Sequence, residues 1–258
     1  MHKVYCFRNL LLLYFCRLSI TRLVLCPLKK SKLPVTEKPE LTPAEEDYLK
    51  AIFTISEWEV RPVSTGAISR QLNTAPASVT DMLHKLALKQ LISYQKYRGV
   101  SLTLSGIKAA TSLIRRNRLW RVFLVQKLRF AWHQVDEIAG SLEHLYSPEL
   151  ISRLDAFLDY PRFDPFGDPI PNAEGKFTIR TQTTLLEMPL YQAGTVLGVK
   201  DQSPDFLVHL SKLNIKPGAE IKIIEKSDFD QAMKVVIDSK HEAILGKAVS
   251  QLILMKKN

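Results

Sequence analysis

The hydrophobic period changes abruptly near Leu91, and this change constrains the fold more than any other feature of the chain. Before this point the apolar side chains recur at helical spacing, and a turn over 73–76 separates two short helical stretches. After it the apolar residues alternate over 92–97 and 100–103, with Gly99 between the two stretches. Two short helices followed by a hairpin predict a winged helix-turn-helix, in which the hairpin is the wing.

The patterns on either side of this region predict further helices and then short strands. Thr42, Pro43 and Glu45 form the signature of a capping box, so a helix is expected to begin there. Helical patterns also extend over 105–130, 134–146 and 148–158. Beyond Thr181 short apolar strands alternate with turns, which predicts a small β-barrel. The predicted fold class is therefore mainly α with small β.

Positive charge is concentrated in one block of the sequence. Residues 61–130 carry thirteen basic side chains and one acidic side chain, Asp81, whereas the whole chain has a net charge of +10. A solvated surface normally mixes both signs of charge, so this block favours a surface that binds a polyanion. Nucleic acid is the first partner that the pattern predicts.

The first forty residues differ from the rest of the chain. All three cysteines, Cys6, Cys16 and Cys26, lie there, so the body has no cysteine framework, as is typical of a cytosolic protein. The apolar run over 10–16 is too short to cross a membrane. We expect residues 1–40 to be a disordered extension and linker with no stable membrane span. A peripheral membrane anchor is the alternative.

Residue types that bind metals cluster on the helix predicted over 134–146. At 100° per residue, Asp136, Glu143 and His144 fall within about one third of the helix circumference. A Glu–His pair beside another carboxylate suits divalent iron, manganese or zinc, and Asp47 in the first helix could complete the site. A solvated helix face that binds nothing is the competing interpretation.

Six motifs, in this order along the chain, resemble the diphtheria-toxin-repressor and manganese-transport-regulator family of bacterial metal-dependent repressors. They are EDYLKAI (46–52), ASVTDML (77–83), KYRGVSLT (96–103), LEH (142–144), DPFGDPIP (164–171) and LNIKPG (213–218). The last motif is similar to the FeoA-like domain of longer family members. The resemblance implies a winged helix-turn-helix domain over 41–104, a helical dimerisation and metal-binding domain over 105–160, a linker over 161–182 and a FeoA-like β-barrel domain over 183–258.

The resemblance also implies which residues contact double-stranded DNA. In such a homodimer the helix after the turn enters the major groove, and the wing approaches the DNA backbone. The residues implied to contact DNA are Pro76, Ala77, Ser78, Thr80, Asp81, Lys85, Tyr97 and Arg98.

The metal ligands that the resemblance implies are Asp47, Glu143 and His144. Two other ligand positions of the family are occupied by Gly140 and Asn117, so the site is reduced. Three further positions depart from ligands that some members carry: Lys50, Arg121 and Asp136.

These departures leave two versions of the function open. In the first, the three remaining ligands, with water or Asp136, bind Mn²⁺ or Fe²⁺ and switch the affinity for DNA. In the second, metal sensing is lost, and Arg121 pairs with Glu143 as an internal cation in place of the metal.

We therefore expect a cytoplasmic homodimer that binds a DNA operator, takes a divalent metal ion as effector and represses metal-uptake genes. The rival from another class is a membrane-associated accessory protein that uses the FeoA-like domain to bind a partner. The sequence has no phosphate-binding glycine loop, no Gly-x-Ser-x-Gly and no His-Glu-x-x-His, so an enzyme is not expected.

Overall fold

The structure, a computed structural model, describes residues 41–56, 62–95 and 98–257. The predicted extension over 1–40 and Tyr97 of the predicted wing lie outside the described residues. Within them, the order of elements is three helices, a hairpin, three more helices and a C-terminal segment of strands and short helices. The fold class is the predicted one. None of the described helices is both long and apolar enough to span a membrane.

The N-terminal region contains the three helices and the hairpin predicted from the sequence. Their bounds are α1 (Pro43–Ile55), α2 (Thr65–Gln71), α3 (Pro76–Leu88), β1 (Ile92–Gln95) and β2 (Gly99–Leu102). The predicted capping box is present, because the Thr42 hydroxyl accepts from the Glu45 amide and the Glu45 carboxylate accepts from the Thr42 amide. β1 and β2 pair antiparallel as the wing.

A single apolar core holds this region together. Ile52 of α1, Ile68 of α2, Val79 and Leu83 of α3, and Val100 of the wing are fully buried in it. Burying such side chains stabilises the fold by about 1.5–3 kcal/mol each. The helical and alternating periods of the sequence therefore meet in one winged helix-turn-helix.

Three helices follow the wing, and the first two end four residues earlier than predicted. Their bounds are α4 (Leu104–Gln126), α5 (Val135–Leu142) and α6 (Pro148–Phe157), with a 3-10 turn over Trp132–Gln134 before α5. The sequence predicted a helix to residue 146, but α5 ends at Leu142 and Glu143 is its C-cap. Glu143 and His144 thus lie in the turn that follows α5.

The C-terminal segment is built on a six-stranded antiparallel sheet in the order β3-β8-β4-β5-β6-β7. Its elements are β3 (Thr183–Thr184), β4 (Ala193–Val199), α7 (Pro204–Lys212), β5 (Glu220–Lys226), β6 (Met233–Ile237), β7 (His241–Leu245), α8 (Lys247–Ser250) and β8 (Ile253–Lys257). Among the described residues no ladder joins β3 to β7, so the predicted small β-barrel has the form of an open sheet. The sequence prediction also missed α7 and β7.

The sheet and the helices share one hydrophobic core. Leu124 of α4, Trp132 of the 3-10 turn and Val135 of α5 belong to the same buried cluster as Ile221 and Val235 of the sheet. The side chains packed there fix the C-terminal segment against α4 and α5.

Candidate metal centre and DNA-binding surface

Asp47, Glu143 and His144 come together, as the sequence predicted. Each offers one ligand atom, and these atoms all lie within 4.8 Å of one another. His144 Nε2 is 3.2 Å from Asp47 Oδ1 and 3.9 Å from Glu143 Oε1. This triad joins α1 to the turn after α5, so a metal bound there would connect the DNA-binding domain to the helical domain.

The orientation of His144 leaves one ring nitrogen available to a metal. Its Nδ1 lies 2.8 Å from Glu46 Oε2, and the Arg116 guanidinium donates to Glu46 Oε1 at 2.5 Å. Since a carboxylate only accepts, Nδ1 is the donor in this contact, and Nε2 is the ring nitrogen that points toward Asp47 and Glu143. Glu46 and Arg116 are buried and fix the imidazole ring, as outer partners of metal-binding histidines usually do. Sequence analysis missed both residues.

Lys50 pairs with the buried ligand of the triad. Its Nζ donates to both oxygens of Glu143, at 2.9 and 2.7 Å. The predicted pairing of Arg121 with Glu143 is therefore wrong, because the Glu143 carboxylate is held by Lys50 and Arg121 pairs elsewhere. An internal cation is present, and it comes from α1 instead of α4.

The two substituted ligand positions contribute nothing in place of a ligand. A Cβ atom added at Gly140 would meet no other atom within 4 Å, so the space beside it is open. Asn117 is buried, and its Nδ2 has no hydrogen-bond partner. Among the described residues, the triad therefore offers three ligand atoms to a metal, and water would complete the coordination.

Arg121 is buried among acidic side chains at the contact between the helices and the C-terminal segment. It pairs with Asp136, and its Nη1 lies 3.1 Å from Asp164 and 3.7 Å from Asp168. Burial alone would lower the pKa of Arg121, but Asp164 and Asp136 raise it. Burial and the charge of Asp168 raise the pKa of Asp164 to about 6, although the positive charge of Arg121 acts to lower it. The cluster is thus a fixed internal cation with its counter-charges.

A cavity of about 1030 Å³ separates the triad from this cluster. Asp47 and Lys50 line one part of it, and Arg121 and Asp136 another. Gln202 of the C-terminal segment also lines the cavity and lies 3.4 Å from Arg121. Metal could reach the triad from this side, because the walls are mostly polar and Asp47 is half exposed.

The recognition surface predicted on α3 is exposed, apart from one half-buried member. Val79, Leu83 and Leu86 form its buried face. Five residues of α3 that were predicted to contact DNA are exposed: Pro76, Ala77, Ser78, Asp81 and Lys85. At 100° per residue all of these but Pro76 fall within an arc of about 100°, as a helix in the major groove requires.

Thr80 and Arg98 are the remaining residues, among those that the structure describes, that were predicted to contact DNA. Thr80 is half-buried, and its hydroxyl donates to the Pro76 carbonyl at 3.1 Å. Arg98 is exposed at the turn of the wing. Arg98 and the exposed residues of α3 are thus both open to solvent.

Much of the basic block is not part of that surface. Arg115, Arg116, Arg118 and Arg121 of α4 make internal ion pairs with acidic residues. They were counted as polyanion-binding charges, because most of their acidic partners lie 40 or more residues away along the chain, and Asp136, a partner of Arg121, lies outside the basic block. The cations left for DNA are fewer, and Lys85 and Arg98 are among them.

Comparison with protein-family models covers nearly all of the described chain. The model described as iron dependent repressor, N-terminal DNA binding domain, matches residues 40–100. The iron dependent repressor, metal binding and dimerisation domain, matches residues 103–172. The FeoA domain matches residues 183–257.

The relatives that this chain resembles are named as repressors and regulators. An uncharacterised HTH-type transcriptional regulator of Methanocaldococcus jannaschii is 33% identical over 44% of this chain and 91% of its own length. The regulator MntR of Oceanobacillus iheyensis is 33% identical over 48% of this chain and 82% of its own. The iron-dependent repressor IdeR of Mycobacterium tuberculosis is 30% identical over 51% of this chain, and the match spans 57% of IdeR.

Solved structures agree with these relatives. A manganese-dependent transcriptional repressor in complex with manganese superimposes with a TM-score of 0.66 at 32% identity, over 83% of this chain and all of that one. ScaR with bound Zn²⁺ has a TM-score of 0.59 at 29% identity, over 83% of this chain and 99% of that one.

A winged helix-turn-helix joined to a metal-binding and dimerisation domain defines a metal-dependent transcriptional repressor. The chain belongs to the iron-dependent repressor family, together with the relatives named above. Neither the version without metal sensing nor the membrane-associated accessory protein is favoured, because the matches include both the DNA-binding and the metal-binding domain.

Proposed function

We propose that this protein represses metal-uptake genes as a homodimer when Mn²⁺ or Fe²⁺ binds Asp47, Glu143 and His144. The observation that carries the proposal is the convergence of these three ligand atoms within 4.8 Å, across two domains. Two carboxylates and an imidazole suit Mn²⁺ and Fe²⁺. The proposed function involves no catalysis.

Metal binding would act on the arrangement of the two domains. Asp47 lies on α1, which packs in the winged helix-turn-helix, whereas Glu143 and His144 follow α5. A metal held by all three favours the conformations in which α1 and the end of α5 are close. DNA affinity rises if those conformations are also the ones that fit the operator.

The proposed DNA contacts combine sequence reading with charge. Ser78 and Asp81 on the exposed arc of α3 would face base edges, and Lys85 the phosphates. Arg98 of the wing would contact the DNA backbone, and Tyr97 is proposed from the sequence alone. Since the target is chromosomal DNA, we place the protein in the cytoplasm.

The homodimer is supported by an apolar patch around α6. Phe157 is 59% exposed and Tyr160 67% exposed, with Leu145, Tyr146 and Leu150 also exposed. Large apolar patches on a protein of this size mark interaction sites, and a second copy would bury this one symmetrically. Two recognition helices would then face successive major grooves.

Equilibrium dialysis with Mn²⁺ tests the metal centre directly. We expect about one ion per wild-type chain and loss of binding in His144→Ala, because the imidazole is one of three ligands. His133→Ala is the matched control, since His133 is exposed and lies outside the triad. Binding that survives in His144→Ala, or no binding by the wild type, would show that the triad is not the metal centre.

A further inference from the structure

We infer that Lys50 is a built-in competitor of the metal ion for Glu143, and that it sets the metal concentration at which this repressor switches. The inference deepens the proposed function and rests on it, since it concerns the same three ligands.

The contact between Lys50 and Glu143 uses the whole carboxylate. The ammonium donates to Oε1 at 2.9 Å and to Oε2 at 2.7 Å, so neither oxygen is free of it. The Glu143 side chain is only 3% exposed, whereas that of Lys50 is 30% exposed. A buried carboxylate needs a charged partner, and Lys50 is that partner here.

A metal ion and the ammonium cannot both keep their contacts with Glu143. Hard divalent cations bind carboxylate oxygens at about 2.0–2.6 Å. With Nζ 2.9 Å from Oε1, the two cations would lie at most about 5.5 Å apart, in a largely buried site. Repulsion at this distance is strong, so metal binding to Glu143 requires the ammonium to leave.

Lys50 is able to leave, and this distinguishes it from the other internal cation. It lines the cavity beside the triad, so its flexible side chain can turn away from Glu143 into water. Arg121, by contrast, is held by carboxylates on several sides and is buried. One cation is therefore displaceable and the other is fixed.

The exchange also preserves a connection between domains. Lys50 lies on α1 and Glu143 at the end of α5, so their ion pair joins the two elements that the metal would join. Metal binding replaces the ion pair between Lys50 and Glu143 with a stronger connection between α1 and the end of α5. The free energy of metal binding is therefore that of the three ligands alone, less the free energy needed to break the ion pair between Lys50 and Glu143.

Isothermal titration of the full chain with Mn²⁺ tests this competition. Lys50→Met keeps the length of the side chain and removes the charge, so we expect the Kd to fall by about 10- to 100-fold, the equivalent of one hydrogen-bonded charged contact. Lys50→Arg keeps the charge and should not tighten binding. Lys89→Met is the matched control. Lys89 pairs at 2.9 Å with Glu45, which lies on α1 like Lys50, and this pair is outside the triad.

A second variant and a stability measurement protect the test against misfolding. Lys50→Gln retains a neutral donor for Glu143, so it should fold and tighten Mn²⁺ binding by an intermediate factor. The Lys50→Met variant should melt at a lower temperature than the wild type in chelator and recover with Mn²⁺, because the metal then neutralises Glu143.

The possible results separate the inference from the proposed function. If the wild type binds Mn²⁺ through His144 but neither Lys50→Met nor Lys50→Gln binds more tightly, Lys50 is not a competitor and only the inference is overturned. If neither the wild type nor any Lys50 variant binds Mn²⁺, the metal centre itself is wrong, and the inference fails with it.

Discussion

Replacing Arg121 by methionine should cost this protein a large part of its stability. The guanidinium pairs with Asp136, lies 3.1 Å from Asp164 and 3.7 Å from Asp168, and its carbon lies 4.9 Å from the centre of the Phe166 ring. Methionine fills a similar volume, so the packing against Phe166 is largely kept. The change therefore isolates the charge.

The expected magnitude follows from the burial of Asp164. Its side chain is 0% exposed and Arg121 is a direct ion-pair partner, so the substitution leaves a buried carboxylate without its nearest cation. Removing one partner of a buried pair destabilises proteins by about 3–5 kcal/mol. We expect a loss of that size in the free energy of unfolding at neutral pH.

Urea unfolding followed by tryptophan fluorescence measures this loss. Trp132 is buried in the core shared by the helices and the sheet, so it reports on the contact that Arg121 stabilises. Arg153→Met is the matched control, because Arg153 forms an exposed pair with Glu149 on α6, and such pairs contribute at most about 0.5 kcal/mol. Equal losses in the two variants would refute the view that Arg121 fixes the C-terminal segment.

Three other predictions concern stability, DNA and assembly. Burial and Asp168 raise the pKa of Asp164 to about 6, so the contribution of Asp164 to stability is full below about pH 4 and is lost as the pH rises through 6. Urea titrations from pH 4 to 8 should therefore show a fall in the free energy of unfolding of the wild type that is absent in Asp164→Asn. Parallel pH dependences of the two proteins would contradict this prediction. Arg98→Ala should weaken binding to all DNA sequences and reduce the salt slope by about one, whereas Ser78→Ala should alter sequence preference; an unchanged slope in anisotropy titrations would exclude the wing contact. Phe157→Asp should convert the dimer to monomer in sedimentation velocity, and a persistent dimer would place the interface elsewhere.

Local signals in the sequence determined much of the fold. Thr42 caps the helix that it was predicted to cap, and the change of period at Leu91 marks the wing. These features depend on neighbouring residues, so a single sequence contains them. The end of α5 at Leu142 was missed, because no proline or glycine follows to mark it.

Long-range pairing was not predictable in the same way. The three residues of the triad could be predicted together, because Glu143 and His144 are adjacent and belong to a recognisable motif. Their supporting charges were not, since Lys50 meets Glu143 across 93 residues and Arg116 meets Glu46 across 70. Net charge in a window does not reveal which cations face inward, and for that reason the basic block was read as one surface.

Fluorescence anisotropy on DNA from upstream of its own gene tests the central claim most directly. The full-length wild type and His144→Ala would be titrated at fixed salt, first in chelator and then with Mn²⁺ or, anaerobically, with Fe²⁺. Metal should tighten DNA binding by the wild type and have no effect on His144→Ala. Equally tight, sequence-specific binding by the wild type in chelator and in metal would contradict this claim.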